Sequence, residues 1–192
     1  MVNEMKTYIA SPFFTKSQRD VVENIRKQIV DLGIQVYSPM HDGILLTKDS
    51  GKRAFKNAYL GDIGGVRDAD FVLAVMDYDD INFSGELYTK SPCEKYTTSS
   101  EISNYENRKF FGFDSGTIFE VGVAKGMGIP IIYYIPPNVK LNVMLAMAGI
   151  GHTTDIELVG KLVDDLMIKR KSFDEKYFVK EESYEDKGIK YK

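Results

Sequence analysis

Apolar residues come in two rhythms along this chain. Runs without alternation occur at 7–10 (TYIA), 34–39 (IQVYSP), 68–77 (DADFVLAVMD) and 129–136 (IPIIYYIP). Short apolar runs bounded by Gly, Pro or Asp suit strands of a parallel sheet buried on both faces. Between these runs the spacing becomes helical. Residues 17–32 carry apolar side chains at 21, 22, 25, 29, 30 and 32, with Gly33 as a stop. A second helix is predicted over 53–67 and a third from Gly116 to about Met127. LNVMLAMAG (141–149) predicts a short helix and IGHTT (150–154) a weak last strand, and Asp155 caps a final helix from Ile156 to Arg170. Strands alternating with helices make this an α/β chain, a flavodoxin-like (Rossmann-like) three-layer sandwich around a central parallel sheet of about five strands.

Periodicity fails over 78–113, which is rich in Tyr, Ser, Thr, Asn and Glu. A stretch that long without a period reads as an insert or lid on a single domain spanning 1–170. Residues 171–192, rich in Lys and Glu, read as a C-terminal tail or arm.

Composition narrows the picture. Of 192 residues 43% are hydrophobic, enough for one sizeable core, and the formal net charge of −3 offers no basic stripe for nucleic acid. One cysteine, Cys93, excludes a disulfide framework, and two histidines, His41 and His152, argue against a histidine-rich metal centre. No apolar run approaches the roughly 18 residues of a membrane span. The opening MVNEMKTYIA lacks the shape of a signal peptide. The expectation is a cytoplasmic protein without membrane or nucleic-acid partners.

Ligands of parallel α/β sheets bind beyond the carboxyl ends of the strands. Tyr8, Asp77, Asp114 and Glu120 all fall at that rim. In DSGTIFEVGVAKGMGIPIIYY (114–134), Asp114 and Glu120 approach together, and Gly116 and Gly122 remove side chains where something comes close. With the helix read from Gly116, Glu120 falls in its first turn. A carboxylate there complements the helix dipole by about 0.3–1 kcal/mol, which is one reading. The other is chemical: two acids converging on a cleft suit glycosyl transfer, one as nucleophile and one as general acid. Likewise Tyr8 reads as core or site, Asp77 as a strand-end cap or ligand contact, Asp62 as a solvated or site acid, and Asn142 as a helix N-cap or binding residue. Met144 and Met147, at helical spacing, read as core. Phe111 and Phe113 are the candidates in 78–113 to stack on a base.

Four segments in order resemble the nucleoside 2-deoxyribosyltransferase family: YIASPFF (8–14), GDIGGVRDADFVLAVMD (61–77), the D-x-G-T-x-x-E-x-G pattern of DSGTIFEVG (114–122), and LNVMLAMAG (141–149). The resemblance implies that Glu120 attacks the anomeric carbon of 2-deoxyribose, that Asp114 contacts the base and protonates it, and that Tyr8 orients Glu120. It implies that Asp62 is a further site acid. Asn142 would hold the sugar 5′-hydroxyl across a subunit contact, with Met144 nearby, in a homo-oligomer of at least two chains. Its ligands are deoxynucleosides and free nucleobases, and it needs no cofactor or metal. Phe13, beside Phe14, suits a nucleoside better than a phosphate. Two alternatives are a 2′-deoxynucleoside 5′-monophosphate N-glycosidase of the same fold and a non-catalytic nucleotide-sensing module.

Overall fold

A computed structural model describes residues 5–47, 49–79, 112–137, 139 and 141–169. The bulk of the expected insert, Cys93 and the tail lie outside the described residues. Five strands, β1 (Lys6–Ala10), β2 (Gln35–Tyr37), β3 (Phe71–Val75), β4 (Ile131–Tyr134) and β5 (Gly151–Thr153), form one sheet in the order β2-β1-β3-β4-β5. Every pairing in it is parallel. That order is the flavodoxin-like doubly wound arrangement.

Among the described residues three long helices pack on the sheet, α1 (Lys16–Asp31) on one face, α2 (Lys52–Arg67) and α3 (Ser115–Gly126) on the other, and the buried Val159 and Val163 of the C-terminal segment join α1 on its face. Alternate residues of each strand serve opposite faces. Tyr8, Val72, Ala74, Ile131 and Tyr133 pack with Val66 of α2 and with Val121 and Ala124 of α3. Ile9, Phe71, Leu73, Ile132 and Tyr134 pack with Val22, Ile25 and Ile29 of α1. All five residues of β3 are buried, as an apolar run flanked by acids predicts.

The expected stops at Gly33 and after Met127 are real. Gly33 and Gly128 adopt φ of 76° and 73°, the left-handed turn that glycine enters without steric cost. One-turn helices at Pro39–Asp42 and Val143–Ala146 follow β2 and β4 in the chain. Residues 78–79 and 112–113 pair antiparallel, so the two ends of the 78–113 stretch leave and rejoin the body side by side.

The single helix expected from Ile156 is instead a 3-10 turn (Ile156–Leu158), a short α4 (Val159–Val163) and a π turn (Asp164–Ile168). Gln28 of α1 is the cause. Its amide nitrogen donates to the Ile156 carbonyl and its oxygen accepts from the Gly160 amide, each at 2.8 Å. Those two groups would bond each other in an α-helix, so the side chain inserts into the ladder.

The start of α1 is closed by a capping box. Thr15 accepts from the Gln18 amide at 3.2 Å, and Gln18 accepts from the Thr15 and Phe14 amides at 3.0 Å. Thr15→Ala is expected to lower unfolding stability by about 1 kcal/mol, read as a reduced urea midpoint at unchanged slope.

Candidate active site

Helix α3 begins at Ser115, one residue before the expected Gly116, with Asp114 outside it and Glu120 as its sixth residue. Asp114 is the N-cap: its Oδ2 accepts from the Thr117 amide at 2.7 Å and the Thr117 hydroxyl at 2.8 Å. Gly116 serves that cap, because a Cβ there would stand 3.1 Å from Asp114 Oδ2. Gly122 has nothing within 4 Å of a built Cβ, so the close approach expected there does not occur within the described chain. Glu120 therefore lies in the second turn of α3, beyond the orphan amides that a first-turn carboxylate would complement. The dipole reading of Glu120 falls with this placement.

What meets Glu120 is Tyr8. The Tyr8 hydroxyl donates to Glu120 Oε1 at 2.5 Å, joining residues 112 apart in sequence. Burial pushes the Glu120 carboxyl up to about 8; the Tyr8 hydrogen bond opposes the shift, and the charges of Asp62 and Asp114 add to it. The Tyr8 phenol is itself driven far above its usual range by burial, then by Glu120. Asp62, half-buried on α2, is raised by burial. Tyr8, Glu120, Asp62 and Asp114 thus form one electrostatic group between β1, α2 and α3.

Tyr37 belongs to it too, and sequence reading missed it. Its ring stacks on Tyr8 with centroids 5.6 Å apart and planes 14° from parallel. Its hydroxyl is raised by burial, then by Asp62, Asp42 and Glu120. The β1–β2 register that pairs Tyr8 with Tyr37 emerges only on folding. The signal in the sequence was GDIGG of α2, three glycines where each weakens a helix by about 1 kcal/mol relative to alanine. One of them is required: a Cβ at Gly65 would lie 2.9 Å from both tyrosine rings.

The other expected residues are dispersed. Asp77 acts on Tyr134, as does Asp155, and Tyr134 belongs to the α1 face. Phe13 is half-buried and stacks on the exposed Phe14 at 5.4 Å. Phe113 packs against the Tyr8 face of the core. Asn142 caps the one-turn helix, its Oδ1 accepting from the Met144 amide at 2.8 Å. Met144 and Met147 are 77% and 63% exposed, which corrects the expectation that they are core; a single helical turn has too little surface to bury them. Phe111 lies outside the described residues. Among the described residues no group of His, Cys, Asp and Glu is arranged to hold a metal, and no helix is long and apolar enough to cross a membrane.

The model of the family described as nucleoside 2-deoxyribosyltransferase matches residues 7–85, the span that carries Tyr8, Tyr37 and Asp62. Asp114 and Glu120 lie beyond that span, and their case rests on the geometry above. No curated protein matches this sequence. Among solved structures, a 2-deoxyribosyltransferase from Bacillus psychrosaccharolyticus is similar with a TM-score of 0.58, at 19% identity, over 81% of this chain and 90% of that one. A conserved protein from Enterococcus faecalis V583 is similar at 0.44 and 19% identity, over 83% and 87%. A CMP N-glycosidase from Clostridium botulinum is similar at 0.46 and 13% identity, over 83% and 98%. The first of these bears on the fold, which it shares.

A carboxyl whose pKa is raised in the folded chain binds its proton more tightly there than in the unfolded chain. Its contribution to stability is therefore present at low pH and lost as pH rises from the ordinary value of 4.5 through about 8. Glu120→Gln, which keeps an acceptor for Tyr8 and carries no charge, is expected to melt several degrees above the parent at a pH above that window. Below the window the two should melt alike. Thermal unfolding followed across the range checks the sign.

Proposed function

We propose that this chain, a member of the nucleoside 2-deoxyribosyltransferase family by its matching residues 7–85 and its fold, exchanges the bases of 2′-deoxynucleosides in salvage. The observation that carries this reading is the 2.5 Å bond from the buried Tyr8 hydroxyl to Glu120. It aims and holds a carboxylate at the rim where ligands of such sheets bind.

In the first half-reaction a Glu120 oxygen bonds to C1′ of the deoxyribose as the C1′–N bond breaks. The bonding pair leaves with the base, which takes up a proton. In the second half a new base attacks C1′ from the vacated side, releases its proton, and returns Glu120 as a carboxylate. Two inversions give net retention, in ping-pong order. Asp62 is the better source of the proton. Burial favours its neutral form, whereas Asp114 Oδ2 is already occupied as the acceptor of two hydrogen bonds. Asp114 then contributes its cap and its Oδ1 to the base. Asn142 would hold the 5′-hydroxyl in the site of a second copy of the chain.

The alternative, cleavage of a deoxynucleoside 5′-monophosphate, has one observation in favour: the buried Ser11 Oγ after β1 has no hydrogen-bond partner. Against it, the Phe14, Thr15 and Gln18 amides that would cradle a phosphate at the start of α1 are already bonded within the capping box.

Incubation with 2′-deoxyinosine and adenine is expected to yield deoxyadenosine by chromatography. A second tube with thymidine and adenine reads whether pyrimidine donors are accepted. Free deoxyribose phosphate from deoxynucleoside monophosphates, without exchange, would move the assignment to the alternative. Glu120→Ala should lower exchange at least about a thousandfold while the fold persists, and a near-normal rate would sink the mechanism.

Glu120 and Asp62 interact, and burial holds both carboxyls toward their neutral forms. The attacking form of Glu120 is the charged one, and its carboxyl gives up its proton only at about 8. Consequently kcat/KM for the donor should rise as pH climbs from the ordinary carboxyl range toward about 8. A profile that is flat across that range would overturn this account of Glu120.

A further inference from the structure

We propose that Tyr37 is a positioning residue for the reaction: its ring holds Tyr8 at the angle from which the phenol reaches Glu120. This rests on Glu120 as the nucleophile. Tyr8 and Tyr37 are register partners on adjacent parallel strands and stack at 5.6 Å and 14°. Behind them α2 closes at glycine positions. A Cβ at Gly65 would stand 2.9 Å from each ring, and one at Gly61 would stand 3.5 Å from the Tyr37 hydroxyl. The Tyr8 ring is thus confined between the Gly65 backbone and the Tyr37 face.

Tyr37 is also a wall. An open cleft of about 500 Å3 runs along the β2 edge, lined by Tyr37, Gly61, Gly64 and Gly65 among others, and neither Tyr8 nor Glu120 lines it. The Tyr37 ring therefore separates the Tyr8–Glu120 bond from water in that cleft. β2 is an edge strand, so among the described residues no further strand lies beyond Tyr37 on that side. The ring face does both jobs, which makes phenylalanine an adequate replacement and an aliphatic side chain a poor one.

The test uses the full chain and four variants: Tyr37→Phe, Tyr37→Leu, Tyr8→Phe, and Tyr8→Phe with Tyr37→Leu. In single-turnover release of hypoxanthine from 2′-deoxyinosine, Tyr37→Leu should slow the covalent step about tenfold with little change in KM. Tyr37→Phe should restore it to within about twofold. If Tyr37 acts through Tyr8, the double variant should be no slower than Tyr8→Phe alone. Equal losses in Tyr37→Phe and Tyr37→Leu, additive losses in the double variant, or a change confined to KM would each overturn the proposal.

A second readout needs no turnover, so it separates failure of this proposal from failure of the assigned reaction. The proton in the short Tyr8–Glu120 bond should give a far-downfield resonance in the parent and in Tyr37→Phe. The resonance should be lost or moved upfield in Tyr37→Leu. Gly65→Ala, which pushes on both rings without removing either, should shift it as well and stands in should Tyr37→Leu not fold. An unmoved resonance in the folded variants would overturn the proposal whatever the protein catalyses.

Discussion

A carboxylate taken out of water must be held by a donor or give up its charge, and the site follows from how this chain does both at once for Glu120. Burial drives the carboxyl toward the neutral form, and two nearby acids push the same way. The Tyr8 phenol pushes back, donating to one oxygen at 2.5 Å. The result is a group that keeps its proton past the ordinary carboxyl range. The proposed mechanism asks for a charged Glu120 beside a neutral acid in the same step, which rests on that balance.

The scaffold fixes the balance through elements distant in sequence. The β1–β2 register brings Tyr37 beside Tyr8. Glycine at position 65 lets α2 approach both rings, and the same helix carries Asp62 to the group. The Asp114 cap sets where α3 starts and hence which face carries Glu120. Moving the start of α3 by one residue would rotate Glu120 by about 100°, away from the phenol. The structural hydrogen bond between Asp114 and Thr117 therefore sets where the next turn of α3 presents Glu120.

Much of this was legible in the sequence, for physical reasons. Unbroken apolar runs identify strands buried on both faces, and β3 is such a run with every residue buried. Gly33 and Gly128 marked helix ends because left-handed turns need them. Tyr8 and Glu120 were legible through the pattern around them, and the structure joins them. What failed depends on tertiary partners. The last helix breaks because Gln28, more than a hundred residues earlier, takes two of its backbone groups. Tyr37 looked like an ordinary strand residue until strand pairing set it on Tyr8. Met144 and Met147 had helical spacing, but the helix is one turn long and leaves them in solvent.

The two aspartates near Glu120 show how one residue type is divided between structure and chemistry. A cap and a general acid make opposite demands on a carboxyl. The cap needs an oxygen that accepts, so Asp114 is useful to α3 in proportion as Oδ2 stays unprotonated. The acid needs a proton to give, so Asp62 is useful in proportion as burial keeps it neutral. Asking Asp114 to supply the proton from Oδ2 would loosen the start of α3 during the step that relies on Glu120 being still. In the proposed mechanism, with the cap on α3 and the acid on α2, the proton moves without disturbing the helix that carries Glu120.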